Sequence, residues 1–128
     1  MSQRLGINLT LRDDRPLSEV IEFIQRMEHL GYDSVWTGES WGRDLFTMLT
    51  YIAANTSRIQ VCAGIANVYS RTPALLAQTV STLDEVSNGR AVLGLGSSGE
   101  RVIQDWHGVP YTKPLQRTRE YIEIINLA

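Results

Sequence analysis

The chain has 128 residues, a formal net charge of −2 and 43% hydrophobic residues, ordinary values for one soluble domain with a real core. The slight acidity gives no reason to expect nucleic acid or an anionic membrane as partner, and no apolar run approaches the ~20 residues of a membrane-spanning helix. Cys62 is the only cysteine, which leaves no internal disulfide and no cysteine-based zinc site; with Met1-Ser2-Gln3-Arg4 running straight into a strand-like segment and no signal peptide evident, a cytoplasmic protein without a bound metal is expected.

Leu5 to Leu11 reads as a first short strand, with Gly6 and Asn8 breaking its apolar character. Asp13, Asp14 and Pro16 then signal a helix start. Leu17, Val20, Ile21, Ile24, Met27 and Leu30 recur at helical spacing, and Gly31 ends that helix. Ser34 to Thr37 is a second strand opening into Gly38-Glu39-Ser40-Trp41-Gly42. A second helix covers Leu45 to Ala54 and stops at Asn55-Thr56-Ser57. Ile59 to Ala63 is a third strand, followed by the loop Gly64-Ile65-Ala66-Asn67. Thr72 caps a third helix with Pro73 at its first position; its stripe is Leu75, Leu76, Val80, Leu83 and Val86. Asn88-Gly89 closes it.

Ala91 to Leu95 is a fourth strand, almost wholly apolar, as a parallel strand buried on both faces reads. It ends in Gly96, Ser97, Ser98 and Gly99, small residues that let a ligand approach the backbone. A loop through Trp106 to Pro114 leads to a fourth helix, Leu115 to Leu127. Strands begin about every thirty residues, each followed by a helix, which is the period of the βαβ unit. Alternating order implies parallel strands. Two α/β architectures accept this: about four βα units forming the N-terminal half of a TIM (β/α)8 barrel, or an open doubly wound parallel sheet. A whole barrel takes ~250 residues, so the chain is expected to be a piece of a longer protein.

Gly94-x-Gly96-x-x-Gly99 matches the glycine pattern of dinucleotide-binding units. There it follows the first strand, with an acid ending the next; here it follows the fourth, and Glu120 and Glu123 lie on a helix. Tight packing explains these glycines as well as ligand contact does. Glu39, Ser40 and Trp41 sit at the carboxyl end of the second strand, where α/β folds collect their chemistry. A carboxylate there can move a proton or merely pair with a cation such as Arg43. Trp41 can stack on a planar ligand or simply pack. His29 lies near the end of a surface helix, and His107 has no evident partner. Neither stands at a metal-ligand spacing from Cys62.

Several runs together carry a resemblance: Leu5-Gly6-Ile7, Gly31-Tyr32-Asp33-Ser34-Val35-Trp36, Ser70-Arg71-Thr72-Pro73-Ala74, Thr82-Leu83-Asp84-Glu85, Asn88-Gly89-Arg90, Leu93-Gly94-Leu95-Gly96, Trp106-His107-Gly108-Val109-Pro110-Tyr111 and Arg117-x-Arg119-Glu120-Tyr121. In this order they resemble the N-terminal half of the bacterial luciferase-like superfamily, nearest its branch of oxidoreductases that use the deazaflavin coenzyme F-420. The likeness covers nearly the whole chain, so residues 1–128 are read as a partial luciferase-like TIM-barrel domain. It implies a coenzyme at the carboxyl ends of the strands. It also implies a bulge after the third strand, with a non-prolyl cis peptide at Gly64-Ile65 supporting the deazaflavin rings. The run from Ser97 to Tyr111 favours deazaflavin over FMN. Several relatives carry an acid followed by histidine after the second strand. This chain has Glu39-Ser40, so histidine catalysis is not carried over and the proton donor stays open.

The expected function is thus hydride transfer between coenzyme F-420 and an organic substrate, carried out by the full-length enzyme. Glu39 is assigned proton handling, Gly64, Ile65 and Ala66 ring support, Ser97 and Ser98 coenzyme contact, and Ser40 and Trp41 substrate contact. The alternatives are an FMN-dependent luciferase-like monooxygenase and a non-catalytic half-barrel. A small-molecule substrate is the expected partner, and two open sheet edges imply a homo-oligomer.

Overall fold

The computed structural model describes residues 4–9 and 13–128. Four strands alternate with four helices: β1 (Gly6–Asn8), α1 (Leu17–His29), β2 (Ser34–Thr37), α2 (Leu45–Ala54), β3 (Gln60–Asn67), α3 (Pro73–Ser87), β4 (Ala91–Gly96) and α4 (Pro114–Leu127). The first strand is shorter than its apolar pattern suggests, although the Leu9 amide still donates to the Trp36 carbonyl at 2.8 Å; Leu11 lies outside the described residues. Pro16 occupies the cap of α1 rather than its first turn. Asp44 caps α2 by accepting from the Thr47 amide at 2.8 Å, and Thr72 caps α3 in the same way.

Two segments differ from their sequence patterns. Gly64 to Asn67 is not a loop but the second half of β3. Pairing with β4 breaks between Ala63 and Ala66 and resumes at Ala66 opposite Leu95 and Asn67 opposite Gly96, the signature of a bulge within a strand. Between β4 and α4 the chain is not all loop: Val102–Trp106 forms a π-helical turn.

The four strands lie in the order β1-β2-β3-β4, all parallel. A doubly wound sheet reverses its strand order at a switch point and buries its first strand. Here the first and last strands are the two edges, so the sheet is a run of consecutive barrel staves. Val35, Val61 and Ala63 face the helices and are essentially inaccessible, packed with Val20, Ile24, Leu45, Leu49, Ile52 and Leu76. Residues alternate faces along a strand, so Trp36, next to Val35, points to the opposite, inner face and is 37% exposed. The apolar pattern of β4 predicts cover on both faces, yet all six of its residues are only half-buried. No strand flanks it on its outer side among the described residues, and on the inner face Trp36 stays partly exposed while Cys62 beside it is fully buried.

Two polar clamps hold the amino-terminal end of the sheet. One Glu28 carboxylate oxygen accepts the amides of Ser57, Arg58 and Ile59 at 3.0, 2.6 and 2.8 Å. The buried Arg90 guanidinium donates to the carbonyls of Ala53, Thr56, Ile59 and Ser87 and to the Thr56 hydroxyl. Burial alone would raise the Glu28 carboxyl, but the three amides and the Arg90 charge outweigh it and hold the group below its ordinary value.

Two outcomes are expected. A depressed carboxyl stabilises the fold above its titration and loses that contribution as pH falls through its folded-state value. Glu28→Gln should therefore cost about 1–3 kcal/mol near neutral pH, and the gap from wild type should narrow in acid, as read by urea unfolding at both pH values. The 128-residue chain alone, with apolar edges at β1 and β4, should self-associate; sedimentation velocity showing a concentration-independent monomer would contradict this.

Candidate functional site

The carboxyl ends of β2, β3 and β4 form one rim, and the bulge in β3 is its centre. The Gly64–Ile65 peptide is cis, as the family resemblance implies. Its neighbours are set by glycines. A β carbon on Gly64 would lie 3.1 Å from Trp36 Cε3, and one on Gly6 would lie 2.8 Å from Ser34 Oγ and 3.3 Å from Trp36 Nε1. The absence of side chains at Gly6 and Gly64 therefore admits the Trp36 indole, whose N–H donates to Ser34 Oγ at 2.9 Å. On the other flank, the Ile65 side chain lies over Gly96, where a β carbon would be 2.9 Å from Ile65 Cδ1. At Gly94 a β carbon would sit 2.5 Å from the Ala63 carbonyl oxygen. The first two glycines of the sequence motif thus serve strand packing. Nothing lies within 4 Å of a β carbon on Gly99, so only this third one faces open space.

Glu39 reaches back across the rim. Its amide donates to the Ile65 carbonyl at 3.1 Å. One carboxylate oxygen accepts from the Asn67 amide, Asn67 Nδ2 and Ser70 Oγ at 3.1, 2.9 and 3.2 Å. The other accepts from Arg71 Nη1. Arg71 also donates to Asp44 at 2.6 Å and lies over the Phe46 ring, 4.8 Å from its centroid. Glu39 and Arg71 side chains are 9% and 15% exposed, so removing either partner would leave the other's charge poorly solvated and unpaired. The cation is Arg71; Arg43 instead donates to the Arg15 carbonyl. For Asp44, burial pushes the carboxyl up, but its bonds to Thr47 and Arg71 more than offset this and its value is lowered.

The residues after β3 are pinned from below. Asn67, fully buried, accepts the Tyr69 and Ser70 amides at 3.0 and 2.8 Å. From α4, Arg117 donates to the Val68 carbonyl at 2.6 Å, and Tyr121 donates to the Arg71 carbonyl at 2.8 Å. Arg117 lies between the Tyr69 and Tyr121 rings, 4.7 and 5.3 Å from their centroids.

At the end of β4, Ser97 and Ser98 are half-buried. The Tyr111 hydroxyl lies 3.0 Å from Ser97 Oγ and 3.2 Å from the Ser98 carbonyl. Ser98 adopts a left-handed φ of 58°, sparsely used by residues with a β carbon. Ser40 is half-buried beside Glu39, and Trp41 is 40% exposed and meets Trp106 edge-on with centroids 5.7 Å apart. His107 Nε2 is buried without a hydrogen-bond partner among the described residues. Burial pushes the Cys62 thiol up to about 11, which leaves it an inert core group.

The structure thus brings Glu39 and Gly64–Ala66 into one hydrogen-bonded unit, with Ser97 and Ser98 at the next strand end. Sequence reasoning gave no role to Asn67, Ser70, Arg71 or Trp36, although the motif Ser70-Arg71-Thr72-Pro73 contained two of them. The glycine contacts yield one expected outcome. Gly94→Ala forces a β carbon onto rigid backbone and should cost about 1–3 kcal/mol or more, whereas in Gly96→Ala the flexible end of Ile65 can yield and the loss should be smaller. Chemical denaturation of the two variants would show the reverse order if the packing were otherwise.

The comparisons place this arrangement in a known group. A profile of the luciferase-like monooxygenase family matches residues 4–128. A Mycobacterium tuberculosis protein named as a coenzyme F-420-dependent oxidoreductase is 38% identical over 122 residues, which are 95% of this chain and 35% of that protein. The 5,10-methylenetetrahydromethanopterin reductase of Archaeoglobus fulgidus is 37% identical over 113 residues, covering 88% of this chain and 34% of the reductase. Among solved structures, the coenzyme F-420-dependent tetrahydromethanopterin reductase of Methanopyrus kandleri matches with a TM-score of 0.82 and 28% identity, over 95% of this chain and 39% of that one. An F-420-dependent secondary alcohol dehydrogenase solved with an F-420–acetone adduct matches with a TM-score of 0.85 over 99% of this chain and 42% of its own; at 20% identity that likeness concerns the fold alone. The chain spans about a third of the curated relatives it matches, and its four staves are the corresponding part of their TIM barrel. The chain belongs to the luciferase-like monooxygenase family.

Proposed function

We propose that the full-length protein is an oxidoreductase that passes a hydride between coenzyme F-420 and a small organic substrate. The observation that carries this reading is the rim itself, in a chain whose relatives at 38% and 37% identity are named as an F-420-dependent oxidoreductase and as a methylenetetrahydromethanopterin reductase. The residues present fit such a coenzyme. Gly64 is exposed on the inner face, next to the Trp36 indole that occupies the space its missing side chain leaves. The deazaflavin supplies the hydride chemistry when bound.

The protein's share is position and proton handling. Gly64 and Ile65 back the ring, held there by Trp36 on one flank and by the seat of Ile65 on Gly96 on the other; Ala66, expected to join them, is fully buried in the core and instead anchors the end of the bulge opposite Leu95. Ser97 and Ser98 offer a hydroxyl and backbone groups to the coenzyme, oriented by Tyr111. Ser40 and Trp41 face the substrate. Glu39 is tied to the ring-backing peptide by the hydrogen bond from its amide to the Ile65 carbonyl. Four donors converge on its carboxylate, so its first role is to orient the loop that carries Ser40 and Trp41. Proton handling by Glu39 additionally requires Arg71 to share or release it.

Titration of the full-length protein with each coenzyme tests the reading. Coenzyme F-420 is expected to bind at least about tenfold more tightly than FMN, a difference of ~1.4 kcal/mol. Tight FMN binding without affinity for F-420 would instead make the protein a flavin-dependent monooxygenase.

A further inference from the structure

Trp41 and Trp106 come from loops that leave the sheet on either side of β3, and they meet at the same rim. Trp106 is placed by a local irregularity. In an α-helix, residues three apart share a face, so Trp106 would follow Ile103 toward the core. Instead the His107 amide donates to the Val102 carbonyl at 3.2 Å, five residues back, and the turn widens. Ile103 stays fully buried while Trp106 is swung out to 62% exposure. Single π turns of this kind recur at functional sites. An indole exposed at that cost, in edge contact with a second exposed indole, contributes little to the core.

We propose that Trp106, with Trp41, forms the wall that selects the substrate, and that the substrate part it takes is a planar unsaturated ring. This rests on the reading of the rim as the active site. Trp41 follows the carboxyl end of β2 and Trp106 that of β4, the two strands that flank β3, so their contact joins the loops on either side of it. The edge-on geometry of the pair leaves an indole face open, and an indole face favours a flat ring over a saturated one of equal size, because offset stacking adds to simple area burial. Phenylalanine at position 106 would keep a stacking face, and leucine would keep only apolar area.

The test compares 2-naphthol with its saturated counterpart decahydro-2-naphthol, by calorimetric or ligand-observed titration of the full-length protein. Wild type should prefer 2-naphthol by about tenfold. Trp106→Leu should lose most of that preference while its affinity for the saturated compound stays within about twofold, and Trp106→Phe should retain it within about threefold. Absence of a preference in wild type, or a preference intact in Trp106→Leu, overturns the proposal. Coenzyme F-420 affinity, measured on the same samples, should be unchanged by Trp106→Leu. Its loss there with the naphthol preference intact would make Trp106 a coenzyme residue and also overturn the proposal. Failure of all samples to bind F-420, with the ring preference behaving as expected, refutes the deazaflavin reading and leaves the ring-selecting wall standing.

Discussion

One buried guanidinium holds the amino-terminal ends of β3 and β4 and the helix ends around them together. Arg90 draws in carbonyls from the end of α2, the approach to β3 and the end of α3. Those of Ala53 and Ser87 are orphan acceptors that helix ends leave behind, and burial would penalise each of these carbonyls if it were unpaired. Arg90 also stands immediately before β4, so satisfying those carbonyls fixes where β4 starts. The Val61 amide donates to the Arg90 carbonyl at 2.9 Å, which sets the β3–β4 register from the same residue. Glu28 does the matching work one strand earlier, by capping three amides just ahead of β3. With the starts of β3 and β4 fixed in this way, the carboxyl ends are free to carry irregular backbone: a bulge in β3 and a π turn beyond β4.

The division between the two ends of the sheet follows from this. The amino-terminal end is closed by hydrogen bonds between fixed partners, and it carries the stability expected of that face in a barrel. The carboxyl end is built from glycines and two large side chains. Trp36 fills the space that Gly6 and Gly64 leave, and Ile65 fills the space over Gly96. The inner face is therefore shaped by what is missing at glycine positions as much as by what is present.

The fold was legible because strand and helix lengths follow local pattern. Ser34–Thr37 and Leu45–Ala54 stand where their periodicity and caps put them, as does the start of α3 at Pro73. What escaped the pattern was tertiary. Gly64 to Asn67 carries no strand signature, because a bulge breaks alternation while cross-strand bonds to Leu95 and Gly96 keep the segment in the sheet. The π turn at Val102–Trp106 is too short for periodicity to reveal. The partners of Gly94 and Gly96 lie on another strand, so their packing role could only be posed as an alternative to ligand contact. Strand order decided between barrel and doubly wound sheet, and no single stretch of sequence encodes strand order.

Glu39 shows most clearly how a residue can be singled out by sequence while its partners stay hidden. Its place at the carboxyl end of β2 was legible from the strand pattern. Its cation stands 32 residues on, beyond the reach of any local rule, and the nearer Arg43 was the natural candidate. Pairing with Arg71 changes what the acid does to its surroundings. Through one carboxylate oxygen it fixes Asn67 and Ser70, and through its own amide it holds Ile65. The loop carrying Ser40 and Trp41 and the Gly64–Ile65 peptide are therefore parts of one network. Replacing the Glu39 carboxylate would release Arg71, Asn67 and Ser70 together, so the alignment of the rim depends on a single side chain.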